Sequence, residues 1–381
     1  MKKKKKTIEK KSLQCVTRSQ KKREESEEND PFRMITLDLK MEILMKLPAK
    51  SVAKLNFVSN LFSSMIRSKE FTDLYMARSS TRPRLLFRVY REGLHFFHSC
   101  SQENPSYDHR ERVSITLNPN LDYVFSQPVR GLICGRKDSR VLIGNPSTGQ
   151  FITLPRVRTG QVWFLGYEPV NDVYKVLCVT EKRNQVSEEH QVFILGAQRQ
   201  QWRMVKCNHP HIVPPYQSTG LCINGVVYYY GWIRTKRSII SFDLRSEEFN
   251  LVNLPDDVKR GDGYSDLVNY HGKVAFFMDC NGTLLWVLED ASKQEWSKVS
   301  FLISAWEGLP GLDRFLFCGA LSTGELIFTP DSSRNPFYFI SYDLKENITK
   351  KVVVQGIGDN LTEIEIFCDH VESPMVLSNV S

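Results

Sequence analysis

The sequence predicts a mainly β chain: a basic tail without structure, a small helical domain, and then a ring of about six four-stranded sheets. Three observations carry that expectation. Residues 1–23 hold eleven Lys or Arg against one Glu, residues 31–80 show apolar spacing of helical period, and from there on a strand-turn-strand motif returns at near-constant intervals.

At 381 residues the chain exceeds the roughly 250–300 residues over which a single core keeps growing, so one large domain and a smaller one are expected. Apolar residues make up 41% and aromatic residues 11%, ordinary values for a chain that folds. No run of about 18 uncharged apolar residues occurs, and the N-terminus lacks the apolar core of a secretory signal. A membrane partner is therefore not expected, and nucleus and/or cytoplasm is the expected location. The nine cysteines, scattered singly from Cys15 to Cys368 without a CxxC pair, suit that compartment and read as small core residues.

The tail, residues 1–30, accounts for the charge. "MKKKKKTIEKKSLQCVTRSQKKR" carries a net +10 against +8 for the whole chain, so everything from Glu24 onward sums to about −2. With "EESEEND" it forms a charge-segregated, glycine-free and aromatic-free segment that cannot bury surface, so disorder is expected. Solvated charge without further role, a nuclear import signal and a nucleic-acid contact are the three readings. The last is disfavoured, because no aromatic residues interleave the basic ones for base stacking.

The helical domain spans 31–80. Thr36 and Asp38 stand where an N-cap and a first-turn acid favour a helix, and Leu39, Ile43, Leu44 and Leu47 follow at helical spacing until Pro48. A second helix is expected to carry Val52, Leu55 and Val58, a third Phe62, Met65 and Ile66, and a fourth Phe71, Leu74 and Tyr75. A unit of this size lies near the limit of independent stability and has neither Cys nor His to staple it. Its apolar residues also fall on more than one face, so some of that surface is expected to meet another surface, whether a partner or the following domain.

Residues 35–71, "ITLDLKMEILMKLPAKSVAKLNFVSNLFSSMIRSKEF", resemble a plant F-box. Asp38, Leu39, Glu42, Ile43, Leu44, Leu47, Pro48, Lys50, Ser51, Val58 and Ser59 carry the resemblance. Thr36 replaces a frequent early Pro, Phe62 stands where Trp is common, and Asn56 stands where a basic residue is frequent. The exchange at Phe62 keeps the aromatic ring and drops the indole donor.

After Ser80 the texture changes to short apolar runs broken by Gly, Pro, Asn and Asp, the pattern of many short antiparallel strands. A polar turn followed by an apolar residue recurs at Phe151, Trp202, Phe249, Trp296 and Ile348, with separations of 51, 47, 47 and 52 residues. Turns at Gly225, Gly272 and Gly324 keep the same beat. Two independent markers with one period indicate a kelch-like β-propeller over 82–372, with six blades, or seven if the ends close one blade jointly. The phrases "GNPSTGQFITLP", "LGYEPVNDVYKVLCV", "GLCINGVVYYYGW", "IISFDLRSEEF" and "DHVESP" resemble the F-box associated β-propeller of plants, type 3.

Chemistry is harder to find. "HFFHSC" offers His95, His98 and Cys100, and "CNHPH" offers Cys207, His209 and His211, but neither has a second donor pair at recognisable spacing. G-x-S-x-G, H-E-x-x-H and P-loop motifs are absent. No catalytic residue, metal or cofactor is expected.

The resemblance implies a non-catalytic substrate receptor of an SCF-type E3 ubiquitin ligase. The F-box would bind a small helical adaptor that links it to a cullin, with Leu39, Ile43, Leu47, Pro48, Val58 and Phe62 carrying the contact. The propeller would hold an unidentified target protein through loops such as "HPHIVPPYQ" (209–217), "WIRTKR" (232–237) and "AWEGLPG" (305–311), with Trp232, Arg234 and Trp306 as candidate contacts. The alternatives are a nuclear propeller that acts as a protein-interaction or nucleic-acid-associated scaffold without a ligase role, and a propeller oxidase, for which the sequence supplies no cofactor site.

Overall fold

The structure, a computed structural model, describes residues 35–91, 94–103, 105, 111–115, 123–137, 139–157, 162–180, 187–213, 220–256, 258, 264–279, 283–301, 315–331, 336–354, 357 and 363–377. The tail, residues 1–30, and Trp306 with its segment 305–311 lie outside them. The chain divides into two compact units, Met1–Leu47 and Pro48–Ser381. That division falls inside the helical domain expected over 31–80.

In the first unit, helix α1 (Leu37–Met45) starts where its cap predicts. The Thr36 side chain accepts from the Leu39 N–H at 3.4 Å, and Asp38 sits in the first turn beside the positive helix end. The helix stops short of Pro48, whose ring disfavours helical backbone in the residue before it.

The second unit begins with α2 (Ala49–Leu55), α3 (Asn60–Ile66) and α4 (Lys69–Ser80). Ser59 and Ser68 cap α3 and α4, accepting from the N–H groups of Phe62 and Phe71 at 3.2 Å each. Val58, expected on the second helix, lies beyond its end. Asn56 closes α2 there: its buried carbonyl accepts from Ser63 Oγ at 3.2 Å and from Arg67 Nε at 3.1 Å, tying the turn to α3. Val52, Phe62, Met65, Ile66, Phe71, Tyr75 and Met76 are buried.

Among the described residues the β region forms six four-stranded antiparallel sheets, the blades of a propeller. Blade one takes β1 (Arg84–Arg91), β2 (Leu94–Ser101) and β3 (Glu111–Ile115), and the last strand of the chain, β24 (Glu363–His370), completes it in the order β24-β1-β2-β3. The ends therefore close one blade jointly, within a count of six. The other blades follow in chain order: β4–β7 from Val124 to Thr153, β8–β11 from Val162 to His211, β12–β15 from Leu221 to Val252, β16–β19 from Tyr264 to Phe301, and β20–β23 from Phe315 to Val353. Strand position explains the sequence pattern. β8 (Val162–Glu168), the first strand of its blade, is buried along its whole length, whereas β11 (Arg203–His211), the outer strand, exposes alternate residues over its first half.

The repeated turn has a physical basis. Asn145, Asp243, Asp290 and Asp343 each end the third strand of a blade, and the side-chain oxygen accepts from the N–H two residues on, at 2.8–3.0 Å. Four residues after each, Gly149, Glu247, Gln294 and Asn347 adopt positive φ of 78°, 61°, 57° and 54°. The outer strand then carries an aromatic residue, Phe151, Phe249 or Trp296, as its first or second residue. Ile348 is out of step with these. It pairs with Asp343 and is exposed, and the position equivalent to Phe249, opposite Phe242, is Thr349, opposite Tyr342. The second marker holds at Asn224-Gly225 and His271-Gly272, whose paired positive φ values of 49° and 81°, and 50° and 78°, fit two-residue hairpin turns.

Because neighbouring strands alternate in direction, the turns after the first and third strands of every blade open on one face of the ring. Connections after the second and fourth strands open on the other. The first, the turn face, carries both repeated markers. The second, the loop face, carries the long crossovers between blades.

Candidate partner-binding surfaces

The helical segment leaves apolar side chains in water. In the first unit Leu37 and Leu39 are exposed on α1, while Ile43 and Leu47 are half-buried. In the second unit Phe57 is 71% exposed and Val58 66%, with Leu61 in the first turn of α3 also exposed. Pro48 is exposed. Phe62, expected in the contact, is instead part of the helical core at 9% exposure. Its cap bond from Ser59 starts α3 so that Leu61, and not Phe62, faces outward. Phe57 was missed because helical spacing continued α2 through Val58, and Asn56 ends that helix first.

The propeller places its expected contacts unevenly. Trp232 is half-buried in β13 (Val226–Ile233) and Arg234 is exposed in the hairpin that follows, with φ of +55°. Of the expected loop 209–217, residues 214–217 lie outside the described residues, but its first part meets the strand that leads into 232–237. Ile212 and Trp232 exchange backbone hydrogen bonds, 2.8 Å from Trp232 N to Ile212 O and 3.0 Å in return, so the crossover after β11 is hooked onto β13. Ile212 is 40% exposed at that junction. Both connections follow a second or fourth strand and open on the loop face.

The turn face is occupied at blades two and three. Lys69 Nζ on α4 reaches Asp172 Oδ2 at 2.6 Å, and Asp73 pairs with Arg130 at 3.7 Å. Asp172 also accepts from Tyr167 Oη at 2.5 Å, and the Arg130 guanidinium lies 4.1 Å from the Tyr167 ring centroid. Burial pushes the Asp172 carboxyl up, but the hydrogen bonds from Lys69 and Tyr167 outweigh it and hold it below the usual range. Burial, and then the bond to Asp172, push the Tyr167 phenol up to about 12. The C-terminal segment covers the same face: the amide of Asn145 donates to the carbonyls of Ser373 at 3.0 Å and Met375 at 2.9 Å. A cavity of about 400 Å³ remains between these elements, lined by Ile66, Met76, Ile152, Phe193, Arg130 and Met375 among others.

Among the described residues, three metal-capable side chains lie close together: His190, Cys207 and His211, all buried, with ligand atoms within 4.8 Å of one another. His209, expected beside Cys207 and His211, contributes only its carbonyl, which accepts from His211 Nδ1 at 2.7 Å and from Cys207 Sγ at 3.3 Å. His211 Nε2 then accepts from Tyr229 Oη at 3.0 Å, and His190 Nδ1 accepts from the Thr180 N–H at 3.3 Å. In this arrangement His190 carries its proton on Nε2, which is buried without a hydrogen-bond partner among the described residues. The trio reads as a neutral hydrogen-bonded pin between blades three and four. Its third member had no sequence signal, because its place depends on the register of a hairpin. His95 and His98 do not share a site, since three residues along β2 place them on opposite faces of the strand.

Comparison with known proteins adds what geometry alone does not supply. Residues 84–376 match the family described as F-box associated beta propeller domain. An F-box/kelch-repeat protein of Arabidopsis thaliana is 48% identical over 388 aligned positions, covering 96% of this chain and 98% of that protein. A second F-box protein of the same plant is 34% identical, covering 91% of each. Among solved structures, a chain of a nidogen/laminin complex aligns at 12% identity with a TM-score of 0.44, over 74% of this chain and 97% of that one.

Proposed function

This chain belongs to the F-box proteins that carry an F-box associated β-propeller, and from that premise we propose that it is the substrate-recognition subunit of an SCF-type E3 ubiquitin ligase. The F-box binds the helical adaptor and, through it, a cullin. The propeller binds a target protein. The observation that carries this reading is the apolar surface of the helical segment, with Phe57 71% and Val58 66% exposed. Aromatic and large aliphatic side chains left in water at one place mark an association surface.

The receptor role asks for no reacting group of its own. Holding a target beside a charged conjugating enzyme replaces a bimolecular encounter by a local one, and effective molarities account for large rate gains. The His190, Cys207 and His211 trio fits that reading, since Cys207 and His211 both donate to the His209 carbonyl and His190 Nδ1 accepts from the Thr180 N–H.

Co-expression of the tagged full chain with the adaptor and the cullin tests the proposal. Both are expected to co-purify with the parent chain and to be lost with Leu47→Ala combined with Pro48→Ala, while the β signal in circular dichroism stays. Equal recovery with the double variant overturns the adaptor assignment.

A further inference from the structure

Three elements meet over the turn face of blades two and three and do not fill the space between them. Ile66 and Met76 come from α3 and α4, Ile152 and Phe193 from the two blades, and Met375 from the C-terminal segment, and the cavity they leave measures about 400 Å³. Protein interiors keep few voids larger than a water molecule. Here the walls are pinned apart rather than left to collapse. Lys69 ties α4 to Asp172, and Tyr174 Oη donates to the Arg130 carbonyl at 3.0 Å. The C-terminal segment is held by the Asn145 amide and by the Leu377 N–H, which donates to Gln150 Oε1 at 2.9 Å. A space of this volume at the seam between helices and blades has the size and position of a small-molecule site.

The lining sets the chemistry of the occupant. Most of it is apolar, with Leu195 beside the five residues above, so water inside finds few hydrogen-bond partners and an apolar body is favoured in its place. The charged side chains of the lining are Arg67, Lys69, Arg130 and Asp172. Lys69 is answered by Asp172 and Asp73, and Arg130 by Asp73. Arg67 is answered by no acid among these: its Nε donates to the neutral side-chain carbonyl of Asn56 at 3.1 Å, and the residue is exposed. Three cations against two carboxylates leave one positive charge in excess, and it falls to Arg67.

We propose that this cavity binds a small organic anion, with its apolar ring or chain among Ile66, Ile152, Phe193 and Met375 and its carboxylate or sulfonate on the Arg67 guanidinium. The planar guanidinium has N–H groups left over from the Asn56 bond, and a charged acceptor makes the stronger bonds to them. Such an occupant touches α3, α4, both blades and the C-terminal segment at once, so it fastens the helices to the ring. The site goes beyond the receptor reading and does not depend on it.

The test uses naphthalene-2-sulfonate and its neutral analogue naphthalene-2-sulfonamide, titrated calorimetrically into the full chain. The sulfonate is expected to bind about tenfold more tightly than the sulfonamide and to raise the melting temperature. Arg67→Gln, which keeps a donor for Asn56, is expected to remove that preference and leave sulfonamide binding within about twofold. Leu195→Trp fills the cavity and is expected to abolish binding of both compounds. Thr72→Trp does the same from α4 and serves if the first variant fails to fold. Phe57→Ala with Val58→Ala removes the exposed apolar spot of the helical segment and is expected to leave both affinities within about twofold. Absence of binding by both compounds overturns the proposal. So does a sulfonate preference that survives Arg67→Gln, or binding that survives a folded cavity-filling variant. Loss of binding with the Phe57 and Val58 pair overturns it in favour of adsorption on the exposed surface.

Discussion

Arg88 on β1 and Glu365 on β24 stand directly opposite each other in the sheet that closes the ring, Nε to Oε2 at 2.6 Å, across 277 residues of chain. Glu363 takes the second arm of the guanidinium at 2.6 Å. The Arg88 side chain is 2% exposed, and its two acids are 47% and 34% exposed. Removing the acids strands a buried cation, whereas removing the cation leaves two acids that water still reaches. Glu363→Gln with Glu365→Gln is therefore expected to destabilise more than Arg88→Met, by on the order of 1–3 kcal/mol after allowing for the exposure of the acids. Denaturant unfolding of the three proteins checks the order, and the reverse order contradicts this account of ring closure.

Asn145 is the one repeated turn cap that is fully buried, and it is Asn where three equivalents are Asp. The difference follows from its amide, which donates to the carbonyls of Ser373 and Met375. A carboxylate there would face two carbonyl oxygens. Asn145→Asp is expected to cost about 2–3 kcal/mol, more than Asp290→Ala at the half-buried equivalent. Thermal unfolding of the two variants decides it.

Three buried histidines make stability depend on pH. Burial holds His190 at about 3, with a further push from His211. It holds His211 at about 4 and His370 at about 3. All three are depressed from 6.5, so the unfolded chain takes up protons first as pH falls. The stabilisation is fully present above about pH 6.5 and is lost as pH falls from there to about 4 for His211 and about 3 for His190 and His370, at up to ~1.4 kcal/mol per pH unit for each histidine. Melting temperature is expected to fall steeply from pH 6.5 to 5, and His211→Gln should flatten that slope. A parent chain with equal melting temperatures at pH 7.5 and 5 would contradict the neutral, hydrogen-bonded state of these rings.

The tail is proposed as an address. Deleting residues 2–23 removes a net +10 and should leave adaptor binding intact while moving a fluorescent fusion from nucleus toward cytosol. An unchanged distribution reduces the tail to solvated charge.

Much of this fold was legible because its repeat rests on local chemistry. An Asp or Asn cap, a positive-φ residue four positions on and an aromatic opening the outer strand all lie within one turn, so Phe249 and Trp296 announced their blades. Ile348 misled by one residue, because apolar character alone does not fix register when the aromatic is replaced by Thr349. The helix caps were readable for the same local reason, at Thr36 above all. Val58 was misplaced on α2 because spacing gives the period of a helix and not the residue at which it ends, which Asn56 decides through bonds to Ser63 and Arg67. Asp172 and His190 left no trace in sequence, since their partners come from α4 and from a neighbouring strand.

The most direct measurement is the affinity of the purified full chain for the helical adaptor by titration calorimetry, for the parent and for Phe57→Ala with Val58→Ala. Truncating anchors of an interface costs on the order of 2–4 kcal/mol, so the double variant is expected to bind about 30-fold to 1,000-fold more weakly. Both side chains are exposed, and its melting temperature should match the parent, whereas Phe62→Ala should lower the melting temperature by opening a cavity in the helical core. A double variant that binds the adaptor as tightly as the parent, or a parent that does not bind it, would contradict the receptor account.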